Sequence, residues 1–259
     1  MTNTYITAGI DIGSLSTDAV ILKGQEILSY AIVPTLSSSE NAAASAYEAA
    51  LELAHLGKDD IENIIATGYG RTSIDFASKA ITEITCHALG ARRLFAAANS
   101  VIDIGGQDSK VIRLSTDGRV DDFSMNDKCA AGTGRFLEVM ARSLDTSLDS
   151  LGALSKLATQ DIRISSTCTV FAESEVVALV AKGVPKEDII RGLHQAVAER
   201  IYGMIVRLRA EPPFVMTGGV AKNSGVVAAI EERLQAQILL PEEPQIVGAL
   251  GAAIIAAKS

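Results

Sequence analysis

The segment GIDIG at residues 9–13 is answered by VIDIGG at 101–106, and each is followed by two further strand-like runs. The first set reads as strands over 4–13, 16–24 and 25–34, joined by tight glycine-containing turns. The second set restarts at residue 100 in SVIDIGGQDSKVIRLSTDGRVDDFSM, with an Asp-Gly turn before its last strand. Two similar meanders this far apart imply an α/β chain with two similar lobes. No Pro/Ser-rich linker divides them, so residues 1–98 and 99–244 are expected to form packed lobes with a hinge near residue 98. The small-residue segment 245–259, QIVGALGAAIIAAKS, reads as a helix that packs back on the first lobe, with Gly248 and Gly251 allowing close contact.

The remaining pattern predicts a helix over 40–56 capped by the serines of TLSSSEN, a strand over 61–70, and helical segments reaching HALGARRLFAAAN. In the second lobe it predicts helices over 134–144, 170–182, 186–209 and 222–236, a short strand near 161–165, and a strand over 213–219. Hydrophobic residues make up 48% of the chain but aromatics only 4%, with no Trp, so the interior is built from Ala, Val, Ile and Leu. That interior suits sheets covered on both faces. A net charge of -8, with no window that gathers basic and aromatic residues, argues against nucleic acid as a partner. No basic leader with an apolar run, and no run of membrane-spanning length, is present, so a cytoplasmic protein without a membrane partner is expected.

A strand that ends in Asp-x-Gly places a carboxylate at its C-terminal edge beside a turn with free backbone N–H groups. Two such edges facing each other can hold a nucleotide phosphate chain and its Mg2+, the N–H groups taking phosphate oxygens while Asp11 and Asp103 hold metal-bound waters. Three glycine edges occur here in order: GIDIGSLSTDAV (9–20), VIDIGGQDSKVI (101–112) and VMTGGVAKNSGVV (215–227). Neither GxxxxGK[ST] nor a GxGxxG after the first strand competes with them. Their types and order resemble the phosphate-1, phosphate-2 and adenosine elements of the actin, Hsp70 and sugar-kinase (acetate and sugar kinase) superfamily. That resemblance implies two ribonuclease H-like lobes closing over ATP.

Cys86, Cys129 and Cys168 are too few and odd in number for a disulfide framework, leaving inert thiols or chemistry as readings. Cys129 in NDKCAAGTGRF and Cys168 in SSTCTVFAESE both stand ahead of predicted helices, where N–H groups and the helix dipole favour a thiolate. They are too far apart for a CxxC knuckle, but two chains on a two-fold axis would supply four thiolates, which suits a [4Fe–4S] cluster.

GIDIGS, ATGYGR (66–71), EITCHALGA (83–91), NDKCAAGTGRFLEVMA, SSTCTVFAESEV and VMTGGVAKNSGV together resemble the activator component of 2-hydroxyacyl-CoA dehydratases. Benzoyl-CoA reductase ATPase subunits and the reductases of double-cubane-cluster proteins are similar. The resemblance spans nearly the whole chain. It implies an ATPase that is a homodimer with one bridging [4Fe–4S] cluster and one ATP site per chain. A ferredoxin or flavodoxin would reduce the cluster, and hydrolysis to ADP would drive one-electron transfer to a partner iron–sulfur dehydratase or double-cubane-cluster protein. A small-molecule kinase of the same fold and a non-redox assembly switch are the alternatives.

On this reading Cys129 and Cys168 are cluster ligands, whereas Cys86 and His87 are packed helix residues. Gly13, Ser14, Leu15, Ser16 and Thr17 would line the phosphates with Gly105 and Gly106, while Gly132 and Gly134 would join the cluster helix to the nucleotide. Gly218, Gly219 and Asn223 belong to the adenosine element. Gln107, or else Asp108, would orient the attacking water, although both fit equally well as turn residues. Glu173 and Glu175 read as solvated acids at a helix start. One departure is Asp18, which stands where many members of the resembled family carry a lysine, so a cation facing the phosphates is missing there.

Overall fold

The structure is a computed structural model that describes residues 5–164 and 168–258. Strands β1 (Ile6–Ile12), β2 (Ser16–Lys23) and β3 (Glu26–Pro34) form an antiparallel meander. Helix α1 (Ser39–Ala54) starts where the Ser38 hydroxyl accepts a hydrogen bond from the Asn41 N–H at 3.2 Å. Its alanine face, Ala42, Ala43, Ala46 and Ala50, has no bulk to hold it off the sheet. Strand β4 (Asn63–Thr67) runs parallel to β1, and the two-residue β5 (Lys79–Ala80) runs parallel to β4, giving the order β3-β2-β1-β4-β5. Helix α2 (Glu83–Leu94) follows.

The second lobe repeats the plan. Strands β6 (Ser100–Ile104), β7 (Ser109–Leu114) and β8 (Val120–Asn126) form the meander, then α3 (Gly134–Ser143), α4 (Leu151–Ser155), α5 (Thr169–Ala181) and α6 (Lys186–Leu208) intervene. Strand β9 (Phe214–Thr217), helix α7 (Ser224–Leu234), strand β10 (Ile238–Leu239) and helix α8 (Val247–Ala256) complete the chain. The sheet order β10-β9-β6-β7-β8, read from β8, is the first lobe's order over again.

Strand β2 shows why these strands are almost wholly apolar. Ala19 and Ile21 join the core under α1, while Val20 and Leu22 pack on Ile246, Ala249 and Leu250 at α8, so both faces are covered. A Cβ on Gly9 would collide with the Ala249 carbonyl, and one on Gly251 with the Cys86 carbonyl, so α8 lies directly on β1 and α2. Helix α2 sits between the sheets: its Ala88 and Ala91 pack against Val101, Ile112 and Val215 of the second lobe and Val247 of α8. The second lobe's core is centred on α6, whose Ile189, Leu193, Val197, Ile201 and Met204 meet Phe136 and Met140 of α3 and Ile230 of α7.

Residues 161–164 are not a strand, and residue 165 of the expected segment lies outside the described residues. The segment rests on α6 rather than on a sheet edge. The Asp188 carboxylate accepts the Thr159 and Gln160 N–H groups at 2.6 and 3.0 Å, and Gly192 leaves room for the Ile162 carbonyl. Among the described residues no helix is long and apolar enough to cross a membrane.

Candidate nucleotide site and cysteine segments

The C-terminal ends of β1, β6 and β9 face a cavity of about 1240 Å3 between the lobes. Asp11, Gly13, Ser14, Leu15 and Ser16 line it from the first lobe, and Asp103, Gly105, Gly106, Gln107, Gly134, Gly218, Gly219 and Asn223 from the second. Two expected residues lie off it. Thr17 alternates with Ser16 and Asp18 along β2 and so faces the other way, its hydroxyl buried 3.0 Å from that of Thr35. Gly132 adopts a φ of 86°, and a Cβ there would lie 2.7 Å from the Arg200 side chain, so it serves the turn and not the cleft.

Several side chains at the centre are ones that motif reading passed over. Because α2 lies between the sheets, His87 is buried between the two aspartates, its Nε2 3.6 Å from Asp11 and its Nδ1 3.6 Å from Asp103. The Thr217 hydroxyl donates to Asp103 at 2.8 Å. Lys110 is directly opposite Asp103 in the β6–β7 ladder, and its ammonium lies 3.1 Å from Asp103, 2.8 Å from Asp108 and 3.7 Å from Glu83. Hairpin register could have revealed Lys110, and the Glu83–His87 spacing of one helical turn could have placed those two on one face. Asp108 is committed to Lys110, whereas Gln107 has no side-chain hydrogen bond among the described residues.

The two hairpins differ in charge at equivalent places. In the second lobe Asp103 pairs with Lys110; in the first, Asp11 pairs with Asp18. Burial alone would raise Asp103, but His87, Lys110 and Thr217 outweigh it and hold the carboxyl down at about 2. Burial opposes the Lys110 charge, yet Asp103, Glu83 and Asp108 raise its pKa further. Burial, reinforced by Asp18, Glu83 and Asp103, pushes Asp11 well above the carboxylate range. Burial also pushes Asp18 up to about 7, against its hydrogen bond from Ser16, and its Oδ1 is buried with no hydrogen-bond partner among the described residues.

Turn chemistry shapes the rest. Gly218 has a φ of 83°, and a Cβ there would strike the Ile104 carbonyl, so this glycine is required for β9 to end against β6. Asn223 caps α7, accepting the Gly225 and Val226 N–H groups at 3.0 and 3.2 Å.

The model of the BadF/BadG/BcrA/BcrD ATPase family matches residues 8–256. The chain belongs to this ATPase family. It is 50% identical over 250 residues to an activator of lactoyl-CoA dehydratase from Anaerotignum propionicum, covering 96% of each chain. The crystal structure of (R)-2-hydroxyglutaryl-CoA dehydratase component A from Acidaminococcus fermentans superposes with a TM-score of 0.95 at 46% identity, covering 98% of both chains. The activator of the 2-hydroxyisocaproyl-CoA dehydratase from Clostridium difficile, with bound ADPNP, gives a TM-score of 0.92 at 42% identity, over 98% of this chain and 94% of that one.

In this ATPase the Cys129 segment leads into α3, whose start is tied to the Gly105–Gly106 turn at the cleft. The first N–H groups of α3 are not free for a thiolate: Gly134 donates to the Gly105 carbonyl at 2.9 Å and Arg135 to the Gly106 carbonyl at 2.8 Å. Cys129 lies ahead of the Thr133 N-cap in the turn after β8, where Asn126 holds its carbonyl at 2.8 Å. Cys168 is itself the N-cap residue of α5, with no side-chain cap hydrogen bond. Both thiols are partly exposed, whereas Cys86 is fully buried and pushed by burial up to about 12. Glu173, expected as a solvated acid at the helix start, accepts the Ser143 hydroxyl at 3.2 Å and ties α5 to α3.

Proposed function

We propose that this ATPase hydrolyses Mg2+–ATP to ADP in the interlobe cleft and thereby drives one-electron transfer into a partner iron–sulfur enzyme. The partner would be a 2-hydroxyacyl-CoA dehydratase or a double-cubane-cluster protein. The observation that carries the reading is the pair of hydrogen bonds joining the Gly105–Gly106 turn to the start of α3, because that turn lines the cleft and α3 continues the Cys129 segment. A change at the phosphates would be transmitted through two backbone contacts to the thiol-bearing segment.

The thiols fit a cluster shared between two chains. Cys86 is buried away from solvent, so Cys129 and Cys168 are the partly exposed thiols that one chain offers. These two, repeated in a homodimer, would hold one [4Fe–4S] cluster. When bound, the cluster supplies a one-electron store that ferredoxin or flavodoxin can fill. Helix α5 leaves Val170 and Phe171 beside Cys168, and Val177 two turns further on, more than half exposed, an apolar face suited to burial against a second chain.

The chain's own residues divide the nucleotide work. The backbone of Ser14 and Leu15, with the Ser16 hydroxyl, would face the phosphates, the Gly13 N–H being taken by the Ser16 carbonyl at 3.0 Å, and Asp11 and Asp103 would hold Mg2+ through its waters. Gly218 and Gly219 let the backbone approach the nucleoside, and Gln107 would orient water for attack on the γ-phosphate.

Iron analysis after anaerobic reconstitution tests the reading. About four iron per dimer is expected for a [4Fe–4S] site, with loss of iron but retained nucleotide binding in Cys129→Ala and Cys168→Ala. A protein that takes up no iron refutes the cluster, and phosphoryl transfer to a small acceptor that persists in both variants favours the kinase alternative.

A further inference from the structure

The cleft is rich in acids, and nearly every cation in it is already engaged. Lys110 serves Asp103, Asp108 and Glu83, and Lys222 lies 2.9 Å from Glu243. Position 18, opposite Asp11 on the first hairpin, contributes a further carboxyl rather than a positive charge. Arg71 is the exception: it lines the cleft, and among the described residues no carboxylate lies within ion-pair distance of it.

Its location is fixed by the loop after β4. Gly68 has a φ of 85° and lies against Asp11 and the Ile12 carbonyl, where a Cβ would collide with both. Gly70 N–H donates to the Ile12 carbonyl at 2.9 Å, and Arg71 returns one Nη1 hydrogen bond to the Gly68 carbonyl at 3.0 Å. The ATGYGR segment is thus pinned to the strand that carries Asp11, and among the described residues most of the guanidinium donors of Arg71 are uncommitted.

We infer that Arg71 contacts the γ-phosphate of ATP and supplies the positive charge that position 18 lacks. The inference rests on the ATPase reading of the cleft. In hydrolysis the water oxygen bonds to the γ-phosphorus while the bond to the β,γ-bridging oxygen breaks, its electron pair staying on ADP and the water's protons passing to phosphate and solvent. Arg71 gains most as charge spreads over the γ-phosphoryl oxygens, since a planar guanidinium can engage two of them at once.

Arg71→Ala is expected to slow ATP hydrolysis by roughly a hundredfold or more. ADP affinity and the melting temperature should stay close to wild type, because ADP lacks the group Arg71 holds. The discriminating readouts are the affinity ratio between a slowly hydrolysed ATP analogue and ADP, and trapping of ADP with aluminium fluoride; a purely structural role would alter neither selectively. Arg71→Lys should restore part of the rate, keeping the charge but not the fork. If Arg71→Ala fails to bind ADP, Arg71→Gln decides: it can still donate to Gly68 but carries no charge, and the same selective losses are expected. Hydrolysis and trapping at wild-type levels in a variant that binds ADP overturn the inference alone, whereas a wild-type protein that hydrolyses no ATP overturns the ATPase reading beneath it.

Discussion

Replacing Asp18 with Asn isolates a destabilising charge whose size follows from where the carboxyl sits. Asp18 is 5% exposed, its Oδ1 has no hydrogen-bond partner among the described residues, and burial raises its pKa to about 7. In the unfolded chain an aspartate ionises near pH 3.9, so between about pH 4 and pH 7 the folded state binds more protons than the unfolded one. Stability therefore falls as pH rises through that window. A gap of about 3 pKa units corresponds to about 4 kcal/mol at pH 8, a ceiling that structural relaxation and bound cations reduce. Asn removes the titration, keeps the shape, and can still accept the Ser16 hydroxyl through its amide oxygen. Urea unfolding of the nucleotide-free protein in chelator, at half-unit steps from pH 4.5 to 8.5, should show the Asp18→Asn advantage growing steadily to a few kcal/mol. A difference that stays flat, or that grows as pH falls, would refute the reasoning.

Lys110→Met leaves the buried Asp103 without its ammonium partner, and a loss of about 3–5 kcal/mol is expected in denaturant unfolding, as for other broken buried pairs. Gly218→Ala forces a Cβ onto the Ile104 carbonyl at a positive φ, so a lower melting temperature and weakened nucleotide binding in calorimetry are expected together. His87→Ala removes the ring between Asp11 and Asp103 and should impair ATP turnover, measured by phosphate release, while leaving iron content after reconstitution unchanged. Gly134→Val places side-chain bulk at a site where even a Cβ would lie 3.3 Å from the Gly105 carbonyl; it should weaken coupling between ATP hydrolysis and partner reduction more than it weakens ADP binding.

Much of the site was legible because strands impose a period of two and glycine edges mark strand ends. Asp11, Asp103, Gly105 and Gly106 all line the cleft. The same period explains why Thr17 lies off the cleft: its neighbours Ser16 and Asp18 line the cavity while it turns inward to Thr35. The Cys129 context was visible as a turn before a helix, but not that the helix N–H groups would be taken by Gly105 and Gly106. Those partners lie on a different hairpin, and no local spacing encodes them.

By itself, the sequence determined the repeated meander, the strand-end carboxylates, and two cysteines set ahead of helices, since each rests on local periodicity and turn chemistry. The tertiary structure decided what surrounds them. Packing of α2 between the sheets brings His87 to both aspartates, the β6–β7 register brings Lys110 to Asp103, and the loop pinned on β1 brings Arg71 to the cleft. Such meetings join residues far apart in the chain, and only the burial of shared apolar faces fixes them.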